Sequence, residues 1–345
     1  MALGGISWKT SRLVLRLRIH SEGKAKEMDG YCDADNRSPS SGGEQEVRVV
    51  IPADLKERFR SGLTLYQRSR FGKFRQGGVR LVISKIFEVG ARRLGISFRR
   101  RAKLIWGEEM TVVYPQKDAV GISRYGFFEE GLTRMVLAHV KPGMTFLDVG
   151  ANIGYFTLLA AWLVESAGRV HAFEPTPATF KILERNVGKK PNVQLNRLAV
   201  GSKRGTVVLN DYGPGMSGYN SLYTARLGVS ALTRYKPKKV EVSVISIDQY
   251  VAEKALTPDF VKIDAESADY EILMGMKETL RKCRPIISVE VGDMDIEGVR
   301  PSKDIVHFLV ENGYQPYEHS DGEIAKHTTK DRYEYRDLLF LPESL

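Results

Sequence analysis

The stretch from residue 145 to residue 200 switches its hydrophobic period again and again. "FLDVGANIGYFTLLAA" passes from an apolar strand pattern through two glycines into a helix pattern. "GRVHAFEPTPATFKILERNV" repeats the passage from strand to helix. Short apolar strands that alternate with helices call for parallel strands, because each connection must cross the face of the sheet before the next strand begins. Strands are expected at 145–149, "RVHAFEP", "VQLNRLAV", "FVKID", "PIISVEV" and "DLLFLP". Helices are expected over about 153–165, 177–188, 268–282 and 302–312, and "FFEEGLTRMVLAHV" is helical by its apolar spacing. "MTVVYP", "AVGIS", "GTVVLN" and "KKVEVSVISI" are further strand candidates. The pattern predicts an α/β chain with a doubly wound, mostly parallel sheet. Ligands of such sheets sit beyond the C-terminal strand ends, where strand order reverses. The residues at those ends are therefore the candidates for function.

The first strand runs into Gly150 and Gly154, and the second ends at Glu174, 20 residues after Gly154. An acidic side chain at that spacing suits the hydroxyls of a ribose. A dinucleotide loop would want glycine at three positions that here read Gly150, Asn152 and Tyr155. Asn and Tyr obstruct the close approach of a pyrophosphate, which also counts against a nicotinamide dehydrogenase. A ligand with a ribose and no phosphate fits better, and S-adenosylmethionine is the expected cofactor. Asp148 is placed either to meet its ammonium group or to order the loop, although Asp is also a common turn former.

The chain from about Trp106 to Pro342 resembles the FkbM family of S-adenosylmethionine-dependent methyltransferases. The resemblance is carried by the two stretches quoted above, by "LAVGSKRGTVVL", "NSL", "VSVISIDQYV", "FVKIDAESADYEILMGMKETL" and "RPIISVEV", in family order. It implies a class I Rossmann-like methyltransferase fold with a seven-stranded, mostly parallel sheet, and methyl transfer to oxygen on a sugar, glycan or other small metabolite. On the cofactor side it implies Asp148, Gly150, Asn152, Gly154, Glu174, Pro175 and Ala199, with Glu129 closing the pocket. Asn220 and Ser221 would reach over the acceptor. One departure stands out: the family usually has Glu-Gly after Lys-Ile-Asp, and this chain has Glu266-Ser267. Serine strains that turn if its φ is positive.

Transfer to a hydroxyl needs in-line placement and a proton acceptor. Asp264 is the first candidate base, with Glu290 or Glu266 assisting. Asp264 and Glu290 together could hold a divalent cation, but no third ligand is evident, so no metal is expected. Tyr212, Tyr219 and Tyr223 could stack on sugar rings or simply pack. His171 lies mid-strand and reads as a core residue.

Charge divides the chain. Residues 1–105 carry 23 Lys and Arg against 10 Asp and Glu, whereas 106–345 carry 29 against 32. Three regions follow: a disordered tail over 1–46, a basic helical extension over 47–105, and the methyltransferase domain over 106–345. The extension has an amphipathic helix at about 79–94 and a basic cluster at Arg99–Lys103. Clustered charge is usually a solvated face, and an anionic membrane or a nucleic acid is the sharper alternative. A nucleic-acid methyltransferase guided by this region is the runner-up function. Against it, the segment after the fourth strand reads Asp264-Ala-Glu-Ser where adenine-N6 enzymes carry a Pro-Pro-aromatic loop. Cys32 and Cys283 are distant and form no metal or disulfide pattern, which suits a reducing cytoplasm. No run of 18 apolar residues and no signal-peptide core is present.

Overall fold

The computed structural model describes residues 57–59, 61–62, 70–223, 236–293, 295–320 and 323–343. The tail expected over 1–46 lies outside them. The chain enters through α1 (Arg70–Leu94), then the hairpin β1 (Phe98–Lys103) and β2 (Glu109–Tyr114), which are antiparallel and pair in register from Phe98↔Tyr114 to Lys103↔Glu109. This hairpin straddles residues 105 and 106, where composition suggested a boundary. Two helices follow, α2 (Lys117–Tyr125) and α3 (Glu130–His139). The segment "AVGIS", expected as a strand, lies inside α2. Ala119 and Ile122, three residues apart, are both fully buried, and that helical spacing prevails over the β-branched composition.

The main body then alternates as expected: β3 (Thr145–Val149), α4 (Tyr155–Leu163), β4 (Arg169–Phe173), α5 (Pro177–Val187) and β5 (Val193–Asn196). The expected strand "VQLNRLAV" divides here. Its second half, β6 (Ala199–Val200), leaves the main sheet and joins β7 (Gly205–Asp211) and β8 (Lys238–Ile245) in a three-stranded sheet. Then come α6 (Ile247–Lys254), β9 (Phe260–Ile263), α7 (Asp269–Met274), α8 (Lys277–Lys282) and β10 (Ile286–Val291). The helix expected over 268–282 is broken at Gly275, where only glycine fits, since a side chain there would collide with the carbonyl of Gly201. The chain continues with α9 (Ser302–Glu311), β11 (Tyr314–Ser320), β12 (Glu323–Lys326) and β13 (Arg336–Pro342).

The main sheet has eight strands in the order β12-β11-β13-β10-β9-β3-β4-β5. The seven strands of the expected fold are all present, and the short β12 adds an antiparallel edge. β10, β9, β3, β4 and β5 are mutually parallel, and β13 runs antiparallel against both β10 and β11. Apolar side chains cover both faces: Phe146, Val170 and Phe260 belong to one buried cluster, Leu147, Val261 and Val289 to the other. Near-continuous apolar strands are what a doubly covered parallel sheet needs. Successive strands build outward from β3 through β4 to β5, and later ones from β9 to β10 on the other side. The reversal lies between β3 and β9, and the crevice beyond their C-terminal ends is where the site belongs.

Candidate active site

The loop after β3 is held by its neighbours before any ligand is considered. Gly150 has φ 75°, and a Cβ there would overlap the carbonyl oxygen of Asp264. Gly154 has φ 96°, and its Cβ would lie 2.6 Å from Leu183 Cδ1 on α5. The loop amides are spent internally. Gly150 and Ala151 donate to the Phe173 carbonyl at 3.1 and 2.9 Å, Asn152 donates to Glu174 Oε2 at 3.2 Å, and Gly154 donates to the Ala151 carbonyl at 2.8 Å. A phosphate-binding loop needs such N–H groups free, and these four are engaged within the protein. Asn152 itself sits at φ 50°, a conformation its short polar side chain tolerates.

Glu174 closes the end of β4. It is 7% exposed, and its Oε1 accepts from the Thr176 amide at 2.9 Å and the Thr176 hydroxyl at 2.5 Å. Burial pushes its pKa up to about 7, and the hydrogen bonds from Thr176 and Asn152 oppose the rise without cancelling it. Pro175 beside it is half-buried. Ala199 pairs with Val244 in the small sheet.

The segment between β7 and β8 returns over this loop. Ser217 donates to Asn152 Oδ1 at 2.7 Å and accepts from Gln116 Nε2 at 2.7 Å. Asn220 accepts from the Tyr212 amide at 2.7 Å and donates to Thr176 Oγ1 at 3.3 Å. Ser221 donates to the Glu266 carbonyl at 2.6 Å. Asn220 and Ser221 therefore lie between the two candidate halves of the site, one touching the β4 end and the other the β9 end. Tyr223 turns away to Glu271, 3.4 Å from its hydroxyl.

Lys262, in the middle of β9, was not singled out by sequence reasoning. It is 2% exposed, and its ammonium lies 3.3 Å from both Asp148 Oδ1 and Asp264 Oδ2. It also donates to the carbonyls of Gly150 at 3.1 Å and Val149 at 3.5 Å. Burial alone would lower its pKa, but the carboxylates of Asp264, Asp148 and Glu129 outweigh burial and raise it. Asp148 is fully buried, and its other oxygen accepts from Thr157 at 2.5 Å. Asp148 thus ties Lys262 on β9 to Thr157 on α4. A charged residue inside the apolar run "FVKI" was the available signal, since a buried lysine demands partners.

Beyond β9 and β10 the carboxylates gather. One oxygen from each of Asp264, Glu266 and Glu290 lies within 4.8 Å of the others. Glu290, on β10, is 5% exposed and faces Asp337 across the β10–β13 ladder. Burial and then Asp264, Glu266, Asp337 and Glu129 push the Glu290 pKa well above the carboxylate range. Asp337 is raised to about 7 by burial and by Asp264. Glu129, at the N-terminal end of α3 with φ 44°, is likewise raised by burial, Asp337 and Asp264. The Tyr335 hydroxyl donates to Glu290. Three carboxylates so close have the donor chemistry for a divalent cation, and Glu266 is the third donor that spacing alone did not reveal. Glu266 and Ser267 both have positive φ, 47° and 84°. Serine at the usual glycine position is thus in the strained case.

These residues fit S-adenosylmethionine. A buried carboxylate stands beside the glycine loop for ribose hydroxyls, and an acidic rim suits a sulfonium cation. Lys262, the buried cation here, is fully engaged and unavailable to a phosphate.

A doubly wound sheet, a glycine turn whose amides at 150, 151, 152 and 154 are engaged within the protein, and an acidic residue at the end of the next strand define an S-adenosylmethionine-dependent methyltransferase of the Rossmann-like class. Residues 148–316 match the methyltransferase FkbM domain model. Over these residues the chain carries a methyltransferase FkbM domain. It is 29% identical over 202 residues to the 31-O-demethyl-FK506 methyltransferase FkbM of Streptomyces tacrolimicus, covering 51% of this chain and 76% of that protein. It is 28% identical over 186 residues to the hexuronic acid methyltransferase AglP of Haloferax volcanii, covering 53% and 68%. A FkbM methyltransferase structure from Methylobacillus flagellatus KT overlaps 57% of this chain and 43% of its own at 16% identity and TM-score 0.36, too distant to transfer any residue.

Proposed function

We propose that the protein methylates a hydroxyl group of a sugar, glycan or other small metabolite. The reading is carried by the convergence of Asp264, Glu266 and Glu290 within 4.8 Å beside the glycine loop. It is supported by the hexuronic acid methyltransferase AglP, named for a sugar acid, and by the 2-O-methyltransferase NoeI of Sinorhizobium fredii, named for transfer to oxygen and 25% identical over 180 residues. The cofactor, when bound, supplies an already activated methyl electrophile. What remains for the chain is to hold the acceptor oxygen in line and accept its proton.

Glu290 is the better proton acceptor in this reading, although the sequence put Asp264 first. Burial, and then the carboxylates of Asp264 and Glu266, raise the Glu290 pKa, which makes its carboxylate form a stronger base than an ordinary glutamate. Asp264 is tied to Lys262 and acts as the fixed partner that positions the acceptor hydroxyl. Glu266, whose carbonyl holds Ser221, shapes the acceptor side. Glu174 takes the ribose, and Asn152, Ser217 and Asn220 form the wall between cofactor and acceptor. Nucleic acid is the poorer acceptor, because a phosphate backbone would meet Glu129, Asp264, Glu266, Glu290 and Asp337.

The test is transfer of a labelled methyl group to a panel of hydroxylated sugars and polyketides. Glu290→Gln is expected to lower kcat by roughly 10²–10⁴-fold with S-adenosylhomocysteine affinity retained. Equal turnover by Glu290→Gln and the parent, on any accepted substrate, removes Glu290 from this role.

A further inference from the structure

Five of the eight large apolar side chains exposed among the described residues fall within a single stretch of 15 positions: Val82, Ile83, Ile86, Leu94 and Ile96. Val82, Ile83 and Ile86 share one face of α1, at i, i+1 and i+4. Ile86 is 62% exposed and Leu94 72%. The opposite face of the same helix is already used. Ser84 Oγ lies 2.9 Å from the Tyr114 hydroxyl, Arg124 holds Glu88 at 2.9 Å, and Phe87 packs edge-on against Phe98 and Tyr114. The helix is thus apolar on two sides, and the hairpin and α2 bury only one.

Charge identifies what the outer side meets. From 81 to 103 the chain has seven Lys and Arg and a single acidic residue, Glu88. All seven, Lys85, Arg92, Arg93, Arg99, Arg100, Arg101 and Lys103, are exposed. The Arg100 guanidinium stacks 4.3 Å over the Phe87 ring, which fixes part of the basic strand beside the helix. A second copy of this chain would bring the same positive excess against itself. Nucleic acid would satisfy the arginines and leave the apolar row in water. An anionic lipid surface satisfies both, because exposed apolar side chains enter the acyl boundary while the basic ring meets the headgroups, and neither signal suffices alone. α1 has 25 residues, and no helix among the described residues is long and apolar enough to cross a membrane. The contact is therefore one that lies on the surface.

We propose that the outer face of α1, with the basic strand β1 beside it, docks the enzyme on anionic membranes. The test is co-sedimentation of the full chain with vesicles of phosphatidylcholine alone and with about 30% phosphatidylglycerol. Binding is expected to the anionic vesicles only and to weaken with salt. Ile86→Asp with Leu94→Asp is expected to reduce it about tenfold or more. Arg99→Gln with Arg101→Gln, which leaves the apolar row intact, is expected to reduce it about fivefold per arginine. S-adenosylhomocysteine binding should be unchanged in both variants. Equal binding to neutral and anionic vesicles, no binding to either, or binding insensitive to the apolar pair overturns the proposal. So does a dimer of the free protein that Ile86→Asp dissolves, or an RNA complex that the same substitution leaves intact.

Discussion

Replacing Lys262 by Met keeps the length of the side chain and removes its charge. The ammonium is buried with Asp148 and Asp264 at 3.3 Å and holds two carbonyls of the glycine turn. Without it, Asp148, fully buried, keeps Thr157 alone as a hydrogen-bond donor. Breaking a buried ion pair from one side costs about 3–5 kcal/mol, mostly because the remaining charge is left uncompensated. For a domain of this size, about 2–4 °C of melting temperature accompanies each kcal/mol, so differential scanning fluorimetry should show a fall of roughly 6–20 °C. The same variant should bind S-adenosylhomocysteine more weakly in calorimetry, since the Val149 and Gly150 carbonyls lose their anchor. The companion Lys262→Met/Asp148→Asn removes the orphaned charge and should recover part of the lost stability, a non-additivity of about 1 kcal/mol or more. A drop below about 3 °C for Lys262→Met, or a double variant no more stable than the single one, refutes the view of Lys262 as the electrostatic centre of the loop.

Ser267→Gly should stabilise the protein by about 1 kcal/mol, because it relieves a left-handed serine at φ 84°; a lower melting temperature would mean the serine side chain contributes more than the strain costs. The pH dependence of stability should be unusual. Asp118, Glu174 and Asp337 have folded pKa values raised to about 7, and Glu129 and Glu290 are raised too, so the folded state binds these protons more tightly than the unfolded state. The contribution of Asp118, Glu174 and Asp337 is fully present below the ordinary carboxylate range and is lost as pH rises through about 7. His139 and His171 are lowered and act in the opposite sense, but only where the unfolded histidines protonate, near and below their ordinary value. From pH 8 down to 6.5 the ligand-free protein should therefore gain melting temperature, and Glu174→Gln should flatten part of that gain. A melting temperature that falls over this interval contradicts the assignment.

The alternation of strands and helices was legible because parallel strands covered on both faces must be apolar throughout, and the main strands around Phe146, Val170 and Phe260 are. The acid residues at strand ends were legible by position. What escaped was whatever depends on side chains from distant segments meeting. Glu266 was visible as a carboxylate, but its convergence with Glu290 required the left-handed turn at 266 and 267. Gln116 and Ser217 are 101 residues apart and meet over the glycine loop. Asn186 is an ordinary polar residue in a helix, yet it donates to the carbonyls of Thr111 and Ile153 at 2.8 and 2.7 Å. The fate of "AVGIS" turned on which face was to be buried, which composition does not state.

The β1–β2 hairpin bears on where the chain can be cut. A version starting at residue 106 would keep β2 and discard its partner strand, along with the helix that covers Tyr114, now 1% exposed. The result would be an open strand edge beside newly wetted Val113 and Tyr114, a template for aggregation. Because Asn186 joins β2 to the residue next to Gly154, fraying of that edge would also reach the cofactor loop. A shortened enzyme should keep everything from Glu57 onward, because Phe59 is buried and packs edge-on against Phe127, so removal of the basic face is better done by substitution than by deletion.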